Sequence, residues 1–93
     1  MVSQKVTIKN PAGLHLRPAG LLCQEAMKYK SRVSFLYGPG EQAEANAKSI
    51  LSVLGACIRN GDTITLKCDG EDEAIAMGAL LALITDGLGD TLS

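Results

Sequence analysis

The sequence of 93 residues has no tryptophan, one phenylalanine and two tyrosines, so its core must be built from aliphatic side chains. It has a single histidine and three cysteines, Cys23, Cys57 and Cys68, odd in number and widely spaced. Without a second histidine or a close cysteine pair there is no zinc-binding pattern, and an odd thiol count does not make a disulfide framework. The expectation is three free cysteines packed as small hydrophobes in a reducing compartment, with no metal and no cofactor. Nine basic and ten acidic residues leave a net charge of −1. No Lys/Arg run supplies the basic stripe that nucleic-acid binders carry. The longest apolar stretch, residues 74–84, has 11 residues, against the roughly 20 that a membrane-spanning helix needs. No secretory-type leader precedes the first strand-like stretch. These absences point to a soluble cytoplasmic protein with no direct nucleic-acid contact and no membrane insertion.

Hydrophobic residues make up 46% of the chain, which suits a globular domain, and the length predicts one domain over residues 1–93 with one core. Residues 2–9 alternate, with Val2, Val6 and Ile8 on one face and Ser3, Lys5 and Thr7 on the other, as in a half-buried strand. N-P-A-G at residues 10–13 is a turn cluster. Over residues 16–29, Ala19, Leu22, Cys23 and Ala26 recur at helical spacing, with Pro18 in the first turn where proline is tolerated. Residues 32–37 alternate again, turning Val33, Phe35 and Tyr37 inward. G-P-G is a connection, and residues 41–46 form a weak strand pairing back. Residues 48–56 hold Ile50, Leu51, Val53 and Leu54 in a short apolar helix, and residues 63–68 form a last strand. A final helix spans residues 71–86, with acidic residues in its first turn as the helix dipole prefers. The order β-α-β-β-α-β-α predicts an α+β open-faced sandwich: a four-stranded antiparallel sheet covered on one face by three helices.

The histidine, His15, stands between the turn cluster and the first helix, in G-L-H-L-R-P. A lone histidine in such a place is often just a surface flank. Three features give it a possible chemistry. Unpaired N–H groups at a helix start, with the dipole, favour an anion. Arg17 adds a planar, permanently charged fork suited to phosphate oxygens. An imidazole titrates near neutrality, which leaves a neutral nucleophilic nitrogen for a phosphoryl donor. No carboxylate, Ser/His/Asp set or Walker-type loop accompanies it. A phosphoryl carrier served by other proteins is therefore a better reading than a free-standing enzyme.

G-L-H-L-R-P-A at residues 13–19 resembles the phosphorylation motif of HPr, the histidine-containing phosphocarrier family of the bacterial phosphoenolpyruvate-dependent sugar phosphotransferase system. N-A-K-S-I-L at residues 46–51 resembles the family's regulatory-serine motif, and N-G-D-T-I-T-L at residues 60–66 its last strand. The resemblance covers essentially the whole chain. It implies that enzyme I phosphorylates His15, that Arg17 stabilises the phosphohistidine, and that sugar-specific IIA domains then receive the group. It also implies that Ser49 is the target of an ATP-dependent HPr kinase/phosphorylase, and that the phosphoserine form binds a transcriptional regulator of carbon catabolite repression. An HPr-like protein acting only through phospho-Ser49 is the alternative, although such proteins lack the active histidine.

Ser49 also has a plain structural reading, because serine caps helix starts. The two roles are compatible. Leu16, Gly20, Leu21, Gln24 and Met27 fall on the side of the first helix opposite its core stripe, and with Ile50 and Leu51 they form the candidate partner surface. Leu54 is assigned to the core, Gly20 either admits a partner closely or is merely tolerated, and the oligomeric state expected is a monomer.

Overall fold

A computed structural model describes residues 1–89; the last four residues of the expected 1–93 domain lie outside them. Strands β1 (Val2–Thr7), β2 (Arg32–Tyr37), β3 (Ala43–Asn46) and β4 (Thr63–Asp69) alternate with helices α1 (Leu16–Met27), α2 (Ile50–Gly55) and α3 (Glu73–Thr85). The order is the β-α-β-β-α-β-α read from the sequence. The sheet runs β1-β4-β2-β3, antiparallel throughout, with registers that pair Val6 with Ile64, Phe35 with Leu66, and Phe35 with Ala45.

Period-two patterning separates the two faces of this sheet. In β4, Ile64, Leu66 and Cys68 are buried, whereas Thr63, Thr65 and Lys67 occupy the alternate positions and are more exposed. Val33 and Phe35 of β2 and Ala45 of β3 join the buried side. Onto that side the helices bring Ala19, Leu22 and Ala26 from α1, Val53 from α2, and Ala76, Leu80 and Ile84 from α3. Burying each larger aliphatic side chain contributes about 1.5–3 kcal/mol. The single phenylalanine is fully buried in the central strand β2, its ring 5.8 Å from that of Tyr37. Leu54 packs partly against the same core. Among the described residues no helix is long and apolar enough to cross a membrane.

Several boundaries differ from the sequence reading, each for a local reason. β1 stops at Thr7 because Ile8, fully buried, faces two residues, donating its N–H to the Asp62 carbonyl and accepting from Gly61 N–H, which breaks the regular ladder. α1 ends at Met27, its last turn tightened by bonds from Lys28 N–H to the Glu25 carbonyl and from Tyr29 N–H to that of Ala26. Residues 41–46 are divided between a 3₁₀ turn, Pro39–Glu41, and β3, which pairs back on β2 as expected. The assignment of Cys57 to apolar packing is corrected. It follows the C-cap of α2 with φ +54, the left-handed position that ends many helices, and its side chain is exposed. Cys68 is buried, and Cys23 is half-buried with its thiol donating to the Lys48 carbonyl.

α3 starts at Glu73 rather than residue 71 because the Asp72 carboxylate turns away to hold the start of β2. It accepts from the Ser31 hydroxyl and from the backbone N–H groups of Lys30 and Ser31. Those bonds, the Ser31 hydroxyl first among them, hold the Asp72 carboxyl down to about 2 against an ordinary 3.8. A lowered folded-state pKa means that the stabilisation is complete above pH 4 and disappears as pH falls toward 2. The thermal midpoint of the wild type should therefore exceed that of Asp72→Asn at pH 6, and the gap should close between about pH 4 and pH 2. A gap that stays constant over that range would show that the Asp72 charge is not the stabilising element.

Candidate functional site

His15 is placed by a tight backbone contact just before it. At Gly13, φ is +60 and an added Cβ would lie 2.5 Å from the Ile58 carbonyl oxygen and 2.8 Å from Arg59 Cα. Only glycine permits that approach and that conformation together. The Asn10 side-chain amide, in a buried residue, donates to the Gly13 carbonyl at 2.7 Å, and Leu14 N–H donates to the Ile58 carbonyl at 3.0 Å. Leu14 is buried at the next position, so the chain enters α1 from a fixed point.

His15 is then the N-cap of α1, extended at φ −78 and ψ −171, with its carbonyl accepting the first helical bond from Ala19 N–H at 2.8 Å. Its ring makes no capping bond and the residue is exposed. Pro18, buried in the first turn, has no N–H to offer. The free donors at this helix head are thus the N–H groups of Leu16 and Arg17, which meet no acceptor among the described residues. The Arg17 guanidinium, also exposed, has no hydrogen bond or ion pair among them. An exposed imidazole, two open amide donors and a permanent cation share one helical turn. Such a set suits an anion held on or beside the ring.

Ser49 is the N-cap of α2, and its hydroxyl accepts from Ser52 N–H at 3.3 Å. The preceding turn is built by Asn46: its side-chain oxygen accepts from Lys48 N–H at 2.9 Å and its carbonyl from Ser49 N–H at 3.0 Å. Ser49 is half-buried. The capping read from the sequence is therefore present.

The partner surface read from the sequence is exposed for the most part. Leu16 is 69%, Met27 63% and Leu51 79% exposed, Ile50 lies at 36%, and Gln24 is also exposed. An added Cβ on Gly20 would meet Ile50 Cδ1 at 3.8 Å, so this glycine marks where α1 and α2 adjoin. Leu21 is half-buried, covered by Gly89 of the turn after α3. That turn, Gly87-Leu88-Gly89, went unread in the sequence, although glycine just past a helical pattern is a stop signal.

A recess of about 590 Å³ elsewhere is lined by residues including Arg32, Glu44, Lys67 and Asp69, but not by His15 or Arg17. Its charges are largely engaged, Lys67 with Glu44 at 3.2 Å and Asp69 with the N-terminal amino group at 3.7 Å. Among the described residues no group of three His, Cys, Asp or Glu side chains could hold a metal ion.

Comparison with known proteins agrees with this geometry. The family described as PTS HPr component phosphorylation site matches residues 2–86. The phosphocarrier protein HPr of Mycoplasma genitalium is 41% identical over 80 residues, covering 86% of this chain and 89% of that one. The HPr-like protein Crh of Halalkalibacterium halodurans is 43% identical over 84 residues, covering 90% and 96%. The crystal structure of an HPr from Thermoanaerobacter tengcongensis superposes with a TM-score of 0.90 at 35% identity, covering 99% of this chain and all of that one. With the motif at the head of α1, the sheet order and the match over nearly its whole length in agreement, the chain belongs to the HPr family.

Proposed function

We propose that this protein carries a phosphoryl group on His15, taken from phosphorylated enzyme I and delivered to the IIA domains of sugar permeases. The observation that carries the proposal is the exposed His15 ring at the N-cap of α1, in the same turn as the open amides of Leu16 and Arg17 and the exposed Arg17 side chain. In the forward step a neutral ring nitrogen attacks phosphorus as the donor's bond to phosphorus breaks. The two amides and the guanidinium then donate to the phosphoryl oxygens, and the acceptor's nucleophile reverses the step. Donor and acceptor groups belong to the partners, which fits a relay that lacks its own acid–base pair. Leu16, Gly20, Leu21, Gln24, Met27, Ile50 and Leu51 form the docking surface, apolar beside the reactive ring.

Ser49 provides the control point. Its hydroxyl, within the motif shared with the family and next to exposed Ile50 and Leu51, is the residue an HPr kinase/phosphorylase would modify. A phosphate there places about two negative charges on the docking face. It would slow transfer from enzyme I and create a surface for a catabolite-control regulator. The likeness to the HPr-like protein Crh supports this second role, and the presence of His15 favours a protein that performs both.

With phosphoenolpyruvate and catalytic enzyme I, the wild type should take up one acid-labile, base-stable phosphoryl group and His15→Ala none, with unchanged thermal midpoints since the ring is exposed. A His15→Ala protein labelled as well as wild type would remove the residue from the mechanism. With ATP and the kinase, wild type should acquire an acid-stable phosphate that Ser49→Ala does not. That variant should also lose about 0.5–1 kcal/mol of stability with its cap, as read by chemical denaturation. Continued modification of Ser49→Ala would place the control point elsewhere.

A further inference from the structure

The recess of about 590 Å³ that His15 and Arg17 do not line is built by β2, β3 and β4 and by the chain just ahead of β2 and α2. Arg32, Ser34, Glu44 and Lys67 reach it on the sheet face that the helices leave uncovered, each alternating with a buried neighbour. The register sets Ser34 opposite Lys67 on one side and opposite Asn46 on the other. Lys30 and Lys48 border the recess from outside the strands. They are drawn together because Lys48 Nζ donates to the carbonyl of Tyr29, the residue before Lys30, at 2.7 Å.

The charges of this recess do not cancel. Lys67 pairs with Glu44 at 3.2 Å, and Asp69 shares the N-terminal amino group with Glu73, at 3.7 and 3.1 Å. Outside these pairs stand Lys30, Arg32 and Lys48, an excess of cations on a chain whose net charge is −1. The Lys30 and Arg32 side chains have no hydrogen bond or ion pair among the described residues. Lys48 is held by a carbonyl, which fixes its ammonium without neutralising it. The Asp72 carboxylate, bonded to Lys30 N–H, is spent on that group and on Ser31. Glu44 feels the surroundings: the Ser34 hydroxyl first, then Lys67, with the Arg32 charge adding, hold its carboxyl below the ordinary value.

The unspent hydrogen-bonding groups are donors as well. The Asn46 side-chain oxygen is taken by Lys48 N–H, which leaves the amide nitrogen with two protons to give. The Ser52 oxygen accepts from Asn46 N–H at 2.9 Å, and its own proton meets no acceptor among the described residues. Glu44 already receives both Ser34 and Lys67. Cations and donors in excess, with the main acceptor occupied, suit a ligand made largely of acceptor oxygens. The Arg32 fork matches two oxygens of a phosphate, and the volume is that of a site for a small organic molecule.

We propose that this recess is a second anion site, separate from His15, which binds a small molecule carrying a diphosphate through Arg32, Lys30 and Lys48. Three cations drawn from two segments offer more charge than one phosphate balances, and the amide of Asn46 and hydroxyl of Ser52 supply further donors.

The test is a titration of the protein at fixed ionic strength, followed by nuclear magnetic resonance. The probes are inorganic pyrophosphate and ADP, with citrate as a polyanion that has no phosphate. The backbone amides of Ser34, Asn46 and Ser52 should shift along one saturating curve with either probe, half-complete at about 1 mM or below. Citrate should bind at least about tenfold more weakly. Arg32→Gln and Lys30→Gln should each weaken pyrophosphate about tenfold, the effect of losing one charged hydrogen bond. Both side chains are exposed, so thermal midpoints should stay near that of the wild type. Arg17→Ala should leave the curve of these three amides in place. A tighter curve for ADP than for pyrophosphate would show that the ligand is an organic diphosphate filling more of the recess; a weaker one would show that it is the inorganic ion. Amides that stay unmoved at 10 mM probe, on the order of tenfold above the expected midpoint, would overturn the proposal, as would a curve that Arg32→Gln leaves unchanged. Shifts confined to Leu16 and Arg17, and lost in Arg17→Ala, would place the anion at the head of α1 instead. Citrate binding as tightly as pyrophosphate would overturn the assignment to diphosphates.

Discussion

The contact between Gly13 and the backbone of Ile58 and Arg59 fixes where His15 stands. That contact presses the turn before α1 onto the segment leading into β4, and the Leu14 to Ile58 hydrogen bond fastens it. From a buried Leu14 the chain emerges as His15 with its ring already outside and its carbonyl already in the helix. The exposure of the imidazole and its place at the positive end of a helix are thus one geometric fact rather than two. Shifting the anchor by a residue would move the ring off the helix head and into the turn.

The remaining parts of the site follow from stacking three helices on one face of a sheet. α1 and α2 meet at Gly20 and Ile50, which joins the neighbourhood of His15 to that of Ser49. α3 lies on the other side of α1, and its terminal turn reaches Leu21 and Arg17. The helix that His15 caps is therefore neighboured by two other helix ends. One has the Ser49 hydroxyl at its start, and the other brings Gly89 near the guanidinium. Three surfaces that are remote in sequence become one because the sheet leaves a single face to cover.

Much of this was legible in the sequence because it rests on periodicity. Two-residue alternation located β1, β2 and β4, and the spacing of Ala19, Leu22 and Ala26 located the buried stripe of α1. The motifs placed His15 and Ser49 at helix starts, where both are found. Strand order was not readable, because alternation tells which face a side chain takes and says nothing about which strand lies alongside; β4 inserts between β1 and β2. The start of α3 was misjudged since an acidic residue near a helix start suggests dipole pairing, whereas Asp72 spends its oxygens on Lys30 and Ser31. Cys57 escaped because a left-handed helix end announces itself through glycine, and here the position holds a thiol. Gly89 adjoins Leu21 and Arg17, far away along the chain, a relation that one-dimensional spacing does not contain.

That thiol gives the molecule an uneven set of handles. Cys68 lies fully inside, where burial pushes its thiol up and away from the reactive thiolate form. Cys23 is half-covered and already shares its proton with a carbonyl. Cys57 alone is open to water, two residues beyond the end of α2. A maleimide dye under mild conditions would therefore mark one location, close to the helix that Ser49 begins, and report on docking partners without a cysteine having to be engineered.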